Sequence, residues 1–598
     1  MDWDLDSYFS EFGSPTYVAF REDLKDEMET LSRRTGELLA SPEVATFKQW
    51  ETLLIDFEGL EARFSHIASY LGCLAAADAR NDAYLKEENA FAEFEAMLAK
   101  LRDKILRGLG GMDRETFENL VTRDRMEDAA YPLAEMRRLA KKRMPAELEA
   151  LAADLGVHGI SAWSRLYFTA VGNLKFRYTD PGKGETEVPI SHYNSLMCDP
   201  NRQRRIAVQE GAARSHAEHQ QTYAAALNAI SGARHLLNRR RGIDEFLEPS
   251  LRQSRIRQTT LDALMTAVED RLPFAREVFR FRTESMGISD PGYVDLRAPL
   301  SLSEESGPDW ASGTSLISAA FNSTYPALGV FFDEMVDKRW IDHTPREGKR
   351  PGGFCTTSLA TRESRIFMNY KDTLNDVLTL AHETGHAWHS RVMKDQRVLA
   401  THYPMTLAET ASTFAERILT EGILGDDDVD KAVKLVLLDA EVEHMLAFLL
   451  DLPVRFRFER EVYERRKEGT LSPTEFCNLM TITQRNVFGD TLAEGREDPW
   501  FWASKLHFYI DGVEFYNYPY TFGYLLSTAF MQRFREEGNS ALNIYERFLA
   551  NSGKMNCEDA VKESLNEDIG DPNFWAAQID ALRRPFTIYK DMLQELAG

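Results

Sequence analysis

The chain has 598 residues, 43% of them apolar, and a formal net charge of −24 with a sequence pI near 5.1. That length exceeds a single small core and points to several structural units. The acidic balance argues against nucleic acid and anionic membrane as main partners, since both select a basic face, and mildly against strongly acidic substrates.

Cys73, Cys198, Cys355, Cys477 and Cys557 are odd in number, widely spaced and without any C-x-x-C pattern. Neither a disulfide scaffold nor a thiolate zinc site is encoded, and a reducing, cytoplasmic setting fits. The acidic start MDWDLDSYFSEF lacks a charged segment ahead of an apolar one, and no run of about 18 apolar residues occurs. No signal peptide and no membrane span are therefore expected.

Residues 1–15 read as a loose lead-in ending at Gly13, Ser14 and Pro15. From about 17 to 142 the pattern is helical: Phe20, Leu24, Met28 and Leu31 recur at three- or four-residue intervals, as do Leu53, Leu54, Phe57, Leu60 and Phe64. Long helices with short breaks predict an antiparallel helical layer whose stripes are core. Residues 145–250 stay mostly helical, interrupted by a predicted hairpin over 174–178 and 187–190 about Pro181 and Gly182. Arg239, Arg240 and Arg241 form the one notable basic cluster and read as a solvated or salt-bridged helix end. More helices follow over 257–345, with a Ser/Gly/Pro-rich connection at 300–313.

Residues 346–371 break the helical pattern. Gly348, Pro351, Gly352 and Gly353 mark a loop. Residues 364–370, SRIFMNY, have strand propensity and are expected to form the edge strand of a small sheet, able to pair with an extended peptide.

The stretch TLNDVLTLAHETGHAWH, residues 373–389, contains an H-E-x-x-H motif at His382, Glu383 and His386. Asp372 is the expected N-cap, and Leu374, Val377, Leu378, Ala381 and Trp388 form an apolar stripe at helical spacing. Histidines four apart on a helix share a face and can reach one zinc ion. Glu383 faces the same side without having to ligate and is free to act as general base on metal-bound water. Gly385 is unfavourable inside an exposed helix and makes sense where something must approach the backbone closely. A catalytic zinc needs a third protein ligand. Glu409 and Glu416, seven apart on a predicted helix from about Thr406 to Gly422, share a face, so one could ligate while the other orients a histidine ring.

Residues 423–500 return to helices. Asp426, Asp427, Asp428 and Asp430 lack the glycine and closing glutamate of a calcium loop and read as charges at a helix N-terminus. His444 reads as a satisfied core histidine. The stretch HFYIDGVEFYNYPYTFGY, residues 507–524, gathers His507 with Tyr509, Tyr516, Tyr518, Tyr520 and Tyr524, and Pro519 opens its helix. Phenol and imidazole groups are the donors that stabilise a developing oxyanion, although buried aromatics also serve as core.

Several segments together resemble the oligoendopeptidase F branch of the thimet oligopeptidase family of zinc metallopeptidases: RPGGFC at 350–355, FMNY at 367–370, the H-E-x-x-H helix, and LAETASTFAE at 407–416. SAWSRLY at 161–167 resembles that branch's amino-terminal domain, and residues 228–256 also resemble the family. The resemblance implies that His382, His386 and Glu409 hold one zinc ion and that Glu383 is the base. It also implies that His507 and Tyr524 donate to the oxyanion, with Tyr516, Tyr518 or Tyr520 in a further substrate role. The fold expected is mostly α, a two-lobed helical metallopeptidase with a deep cleft and a small β-sheet beside the zinc helix. Its divisions are a helical region at 1–142, an oligoendopeptidase F-like domain at 143–256 and a catalytic domain at 257–598. The implied activity is zinc-dependent cleavage of internal bonds in short unstructured peptides, by Glu383-assisted attack of zinc-bound water. An aminopeptidase is the first alternative, though no acidic motif for a free amino terminus is visible; a helical scaffold with a vestigial motif is the second.

Overall fold

The periodic stripes of the first 140 residues become three long helices, Pro15–Ala40, Phe47–Ala77 and Asp82–Gly111. The structure, a computed structural model, describes residues 1–40, 46–300 and 307–597; the connection expected at 300–313 falls partly on residues 301–306, outside those described. Two compact units divide the chain, each assembled from three separate stretches. The first comprises Met1–Lys142, Glu305–Asp430 and Leu526–Glu567; the second comprises Arg143–Glu304, Lys431–Leu525 and Asp568–Gly598. The stretch 257–598, grouped by its motifs, therefore contributes to both. No described helix is long and apolar enough to cross a membrane, and the five cysteines are free thiols.

In the first unit the long helices pack by the residues the stripes single out. Leu24, Met28, Leu31, Leu53, Leu54, Phe57 and Leu60 are buried, with Phe20 and Phe64 packed partly buried against them. Each such side chain contributes roughly 1.5–3 kcal/mol by leaving water. The capping box of Thr46 with Gln49 starts the second helix, and Asn81 caps the third. The lead-in is not loose. Trp3, Leu5, Tyr8 and Phe9 are buried, and the Asp2 carboxylate accepts the backbone N–H groups of His343 (3.0 Å) and Thr344 (2.6 Å). The acidic look of MDWDLDSYFSEF conceals an apolar set that joins the core, held by the buried Arg365, which donates to the Asp4 carbonyl at 2.9 Å.

The small sheet of this unit has strand order β3-β5-β4, with β3 Ile341–Asp342, β4 Phe354–Ser358 and β5 Glu363–Phe367. The strand expected at the edge is thus the central one: β5 pairs antiparallel with β4 and parallel with β3. The reason lies in its side chains. Ser364, Arg365, Ile366 and Phe367 are all buried, as a strand covered on both faces requires. The glycine-rich loop runs directly into β4, which takes the edge.

The H-E-x-x-H helix spans Leu374–Val392 and packs on the next helix, Met405–Leu424. Its N-cap is Thr373, not Asp372. Thr373 Oγ1 accepts the Asp376 N–H at 3.1 Å, and the Asp376 carboxylate accepts the N–H groups of Thr373 (3.1 Å) and Lys371 (2.9 Å). The capping box needs an acceptor three residues on, which Asp376 supplies for Thr373. Asp372 adopts φ +58° just outside.

In the second unit the predicted hairpin forms from β1 Lys175–Asp180 and β2 Gly184–Pro189, antiparallel, with Lys175 opposite Pro189 and Asp180 opposite Gly184. The basic cluster ends the helix Gln220–Arg240, and Arg241 pairs with Glu149 at 2.7 Å, the salt-bridged helix end expected. The acidic run at 426–430 directly precedes the helix Lys431–Leu446. A π-helical turn, Ala447–Asp451, follows that helix just before Pro453, whose missing N–H cannot continue an α-helical ladder.

Candidate active site

His382 and His386 lie one turn apart on the helix Leu374–Val392, their ring centroids 5.0 Å apart and nearly perpendicular at 83°. The helix Met405–Leu424 is brought against them through Gly385. A Cβ at that position would sit 2.5 Å from the Ala411 carbonyl oxygen and 2.7 Å from Ser412 Cα. The glycine between the histidines therefore lets the second helix backbone approach.

That approach separates the two candidate carboxylates. Glu409 Oε2 lies 3.6 Å from His382 Nε2, while Glu416 Oε1 accepts from His382 Nδ1 at 2.6 Å. Ser412 Oγ donates to Glu409 Oε2 at 3.0 Å and steadies it. His382, His386 and Glu409 each offer a ligand atom within 4.8 Å of the others and form a possible metal site. The donor set fits a divalent ion of the zinc kind: two imidazoles, one carboxylate, and a second carboxylate orienting one ring.

Charge in the site is strongly coupled. Burial works against protonation of His382, but the Glu416 hydrogen bond and the surrounding carboxylates outweigh it and push the ring up to about 9. Burial, reinforced by the charges of Glu409 and Glu416, raises Glu383 to about 7. Burial also raises Glu409, and burial with the neighbouring His382 charge holds His386 well below the usual histidine range. A carboxylate near 7 can both accept and return a proton at neutral pH. Gly353, at the head of β4, runs beside it: a Cβ there would lie 3.8 Å from Glu383 Oε1 and 3.2 Å from the Phe367 carbonyl oxygen.

The aromatic stretch belongs to the second unit. His507 stacks on Tyr516 at 5.4 Å, and Tyr516 meets Tyr520 edge-on at 5.6 Å. Burial, then the charges of Lys505 and Arg455, drives His507 down to about 3, so the ring is neutral at physiological pH. Tyr524 is placed differently. It is buried against Phe448 at 4.4 Å and donates to Glu441 Oε1 at 3.3 Å. The π-turn sets Phe448 there, its carbonyl accepting the Thr521 hydroxyl at 2.9 Å. Tyr518 is core, its hydroxyl bonded to Ser250 (3.1 Å) and Ser254 (2.9 Å). His444 is half-buried beside Phe448 and Tyr524. Ser412 and Gly353 escaped the sequence reading. Ser412's position three residues after Glu409 was the available signal for the first; Gly353 was visible only as a loop residue.

Comparison with known proteins supplies an independent line. The model of peptidase family M3 matches residues 324–577, and that described as oligopeptidase F matches residues 109–176. The oligoendopeptidase F homologue of Lactococcus lactis is 26% identical over 416 residues, covering 68% of this chain and 66% of the relative. Oligopeptidase PepF of Bacillus subtilis is 23% identical over 419 residues, covering 70% and 61%. The matches thus span just under two thirds of these relatives. Among solved structures, a provisionally assigned peptidase from Chlamydophila abortus superposes with TM-score 0.80 at 18% identity, over 99% of this chain and 97% of that one. Oligoendopeptidase-F from Enterococcus faecium gives TM-score 0.69 at 16% identity, over 97% and 99%. These superpositions show a shared fold.

Proposed function

The chain belongs to peptidase family M3, in its oligoendopeptidase F branch, and from that premise we propose that it is a zinc-dependent endopeptidase hydrolysing internal bonds of short, unstructured oligopeptides. The observation that carries the reading is the division of labour around His382, with Glu409 at 3.6 Å on the Nε2 side and Glu416 at 2.6 Å on Nδ1. His382, His386 and Glu409 would hold the ion, and Glu416 fixes the His382 tautomer so that Nε2 is the ligating atom. A zinc ion on this set supplies Lewis-acid activation of water and of the scissile carbonyl.

The chain's own groups do the rest. Glu383, buried and raised to about 7, takes the proton of the attacking water and returns it to the leaving amine. His507, a neutral imidazole, and Tyr524 are assigned as donors to the oxyanion, on the strength of the family motif. A second reading for the phenol is Tyr516: it stacks on His507 and is half-exposed, whereas the Tyr524 hydroxyl already bonds to Glu441. The free thiols accord with a cytoplasmic enzyme acting on peptides.

The test is hydrolysis of an internally quenched peptide of about ten residues, a cleft-sized choice, blocked at both ends, by zinc-loaded wild type and by Glu383→Gln. Internal cleavage by wild type alone supports the reading. Cleavage only of peptides with a free amino terminus would replace it with an aminopeptidase. Purified protein that neither retains zinc nor cleaves any peptide would leave a scaffold.

A further inference from the structure

Beside His386, within the first unit, opens a cavity of about 480 Å³. That is the size of a small-ligand pocket. Cys355 and Thr357 of β4, Ser390 of the H-E-x-x-H helix, Tyr403 and Arg362 line it together with His386. The lining is rich in hydroxyls, several already tied to one another: Thr357 Oγ1 donates to Ser390 Oγ at 3.0 Å. Among the described residues its one guanidinium is Arg362; His402, also in the lining, lies beside Glu61 at 3.4 Å.

Arg362 closes the turn between β4 and β5, its N–H donating to the Ser358 carbonyl at 2.8 Å. It does so at φ +59°. A residue with a Cβ is disfavoured there by roughly 1–2 kcal/mol, and glycine would make the same turn without strain. A strained non-glycine residue beside a reaction centre points to a use for its side chain. The half-buried guanidinium donates to the Gln396 carbonyl at 3.2 Å. Among the described residues no carboxylate lies within ion-pair distance of it. The acids it senses, Asp395 and Glu58, only partly offset the burial that pushes it down, and Glu58 is held by Arg397. A guanidinium carries five donors in a planar fork that matches a carboxylate.

We propose that this cavity is a substrate subsite taking a carboxylate of the bound peptide, with Arg362 as its counter-ion. The proposal rests on the peptidase reading above and deepens it: among the described residues of a strongly acidic protein, the recess next to the proposed metal ligands presents one guanidinium, and so selects an anionic residue at one position of an otherwise unspecified peptide. The carboxylate is either an Asp or Glu side chain or the peptide's own C-terminus.

Binding to the zinc-loaded Glu383→Gln protein, read by fluorescence anisotropy, tests this without cleavage. The probes are a neutral peptide blocked at both ends, variants with Glu replacing Gln at each position in turn, and the neutral peptide with a free C-terminus. One charged probe should bind roughly 10- to 100-fold tighter than its neutral counterpart, the range expected of a charge-assisted hydrogen bond. Arg362→Asn, whose side chain tolerates positive φ, should bring that ratio near one, and Arg362→Lys should keep part of it. Preference for one Glu position assigns a side chain; preference for the free terminus assigns the C-terminal carboxylate. Equal binding of charged and neutral probes, or a ratio that survives Arg362→Asn, overturns the proposal. Failure of wild type to cleave any of these peptides would overturn the peptidase reading instead, while the binding ratio still decides the subsite.

Discussion

The helix pair holding His382, His386, Glu409 and Glu416 and the aromatic stretch 507–524 carry the two halves of the proposed chemistry, yet they are built in opposite ways. In the first, every group sits on regular helix, and intrahelical spacing alone puts the histidines on one face and the two glutamates on another. In the second, a short 3₁₀ turn, an irregular loop through Gly512 and the start of a helix carry six ring-bearing polar side chains that end in different environments. Regular structure converts sequence spacing into geometry; irregular structure leaves geometry to whatever packs around it. Roles in the helix pair should therefore be sharply divided, and roles in the aromatic stretch should depend on neighbours.

The largest effect expected is at Glu383. Glu383→Gln should lower turnover by about 10³-fold or more while zinc content stays at one per chain, because a positioned acid–base group contributes on the order of 10²–10⁴. Glu409→Gln should instead lose the metal on dialysis, with activity following it. Zinc lost from Glu383→Gln but retained in Glu409→Gln would reverse the assignments.

The next comparison lies within the aromatic stretch. Removal of an oxyanion donor costs about 10²–10³ in kcat, so kinetics of Tyr516→Phe and Tyr524→Phe identify the phenol. A loss of that size in Tyr524→Phe alone upholds the family-based assignment. A loss in Tyr516→Phe, with Tyr524→Phe changing thermal stability more than kcat, moves the role to the partner of His507.

Glu416→Gln should reduce metal affinity or activity by roughly 10- to 100-fold, the range for groups that orient a ligand. It should also change how the metal-free protein responds to pH. His382 is raised in the folded state to about 9 from an ordinary 6.5, so its contribution to stability is present in full below 6.5 and lost as pH rises through 9. Metal-free wild type should accordingly melt at falling temperatures over that window, and Glu416→Gln should show a flatter profile in the same scan. A wild-type profile as flat as the variant's would mean that the Glu416 hydrogen bond does not hold the proton.

The smallest effect is a packing one. Gly385→Ala should destabilise by about 1–3 kcal/mol, as overpacking does, because the added methyl meets the Ala411 carbonyl and Ser412. It should also weaken zinc binding by parting the helices. An unchanged melting temperature would show that the helix pair can separate freely.

Much of this protein is set by sequence alone. The 3.6-residue period placed Leu24, Met28, Leu31, Leu53, Leu54, Phe57 and Leu60 in the core of long helices. The i, i+4 histidines and the i, i+7 glutamates were paired on common faces by the same period, and turn chemistry at Pro181 and Gly182 marked the hairpin. Each of these rests on geometry within one element, where rise and rotation per residue are fixed. Tertiary structure decided whatever depended on distance between elements. It set Glu409 and Glu416 on different nitrogens of one ring. It made β5 the centre of its sheet and β4 the edge, and buried Trp3, Tyr8 and Phe9 beneath an acidic-looking terminus. It also gave His507 Tyr516 as its stacking partner and placed the strained Arg362 in the lining of a cavity beside His386. No spacing along the chain encodes those outcomes, because they arise between side chains of separate elements competing for the same buried volume.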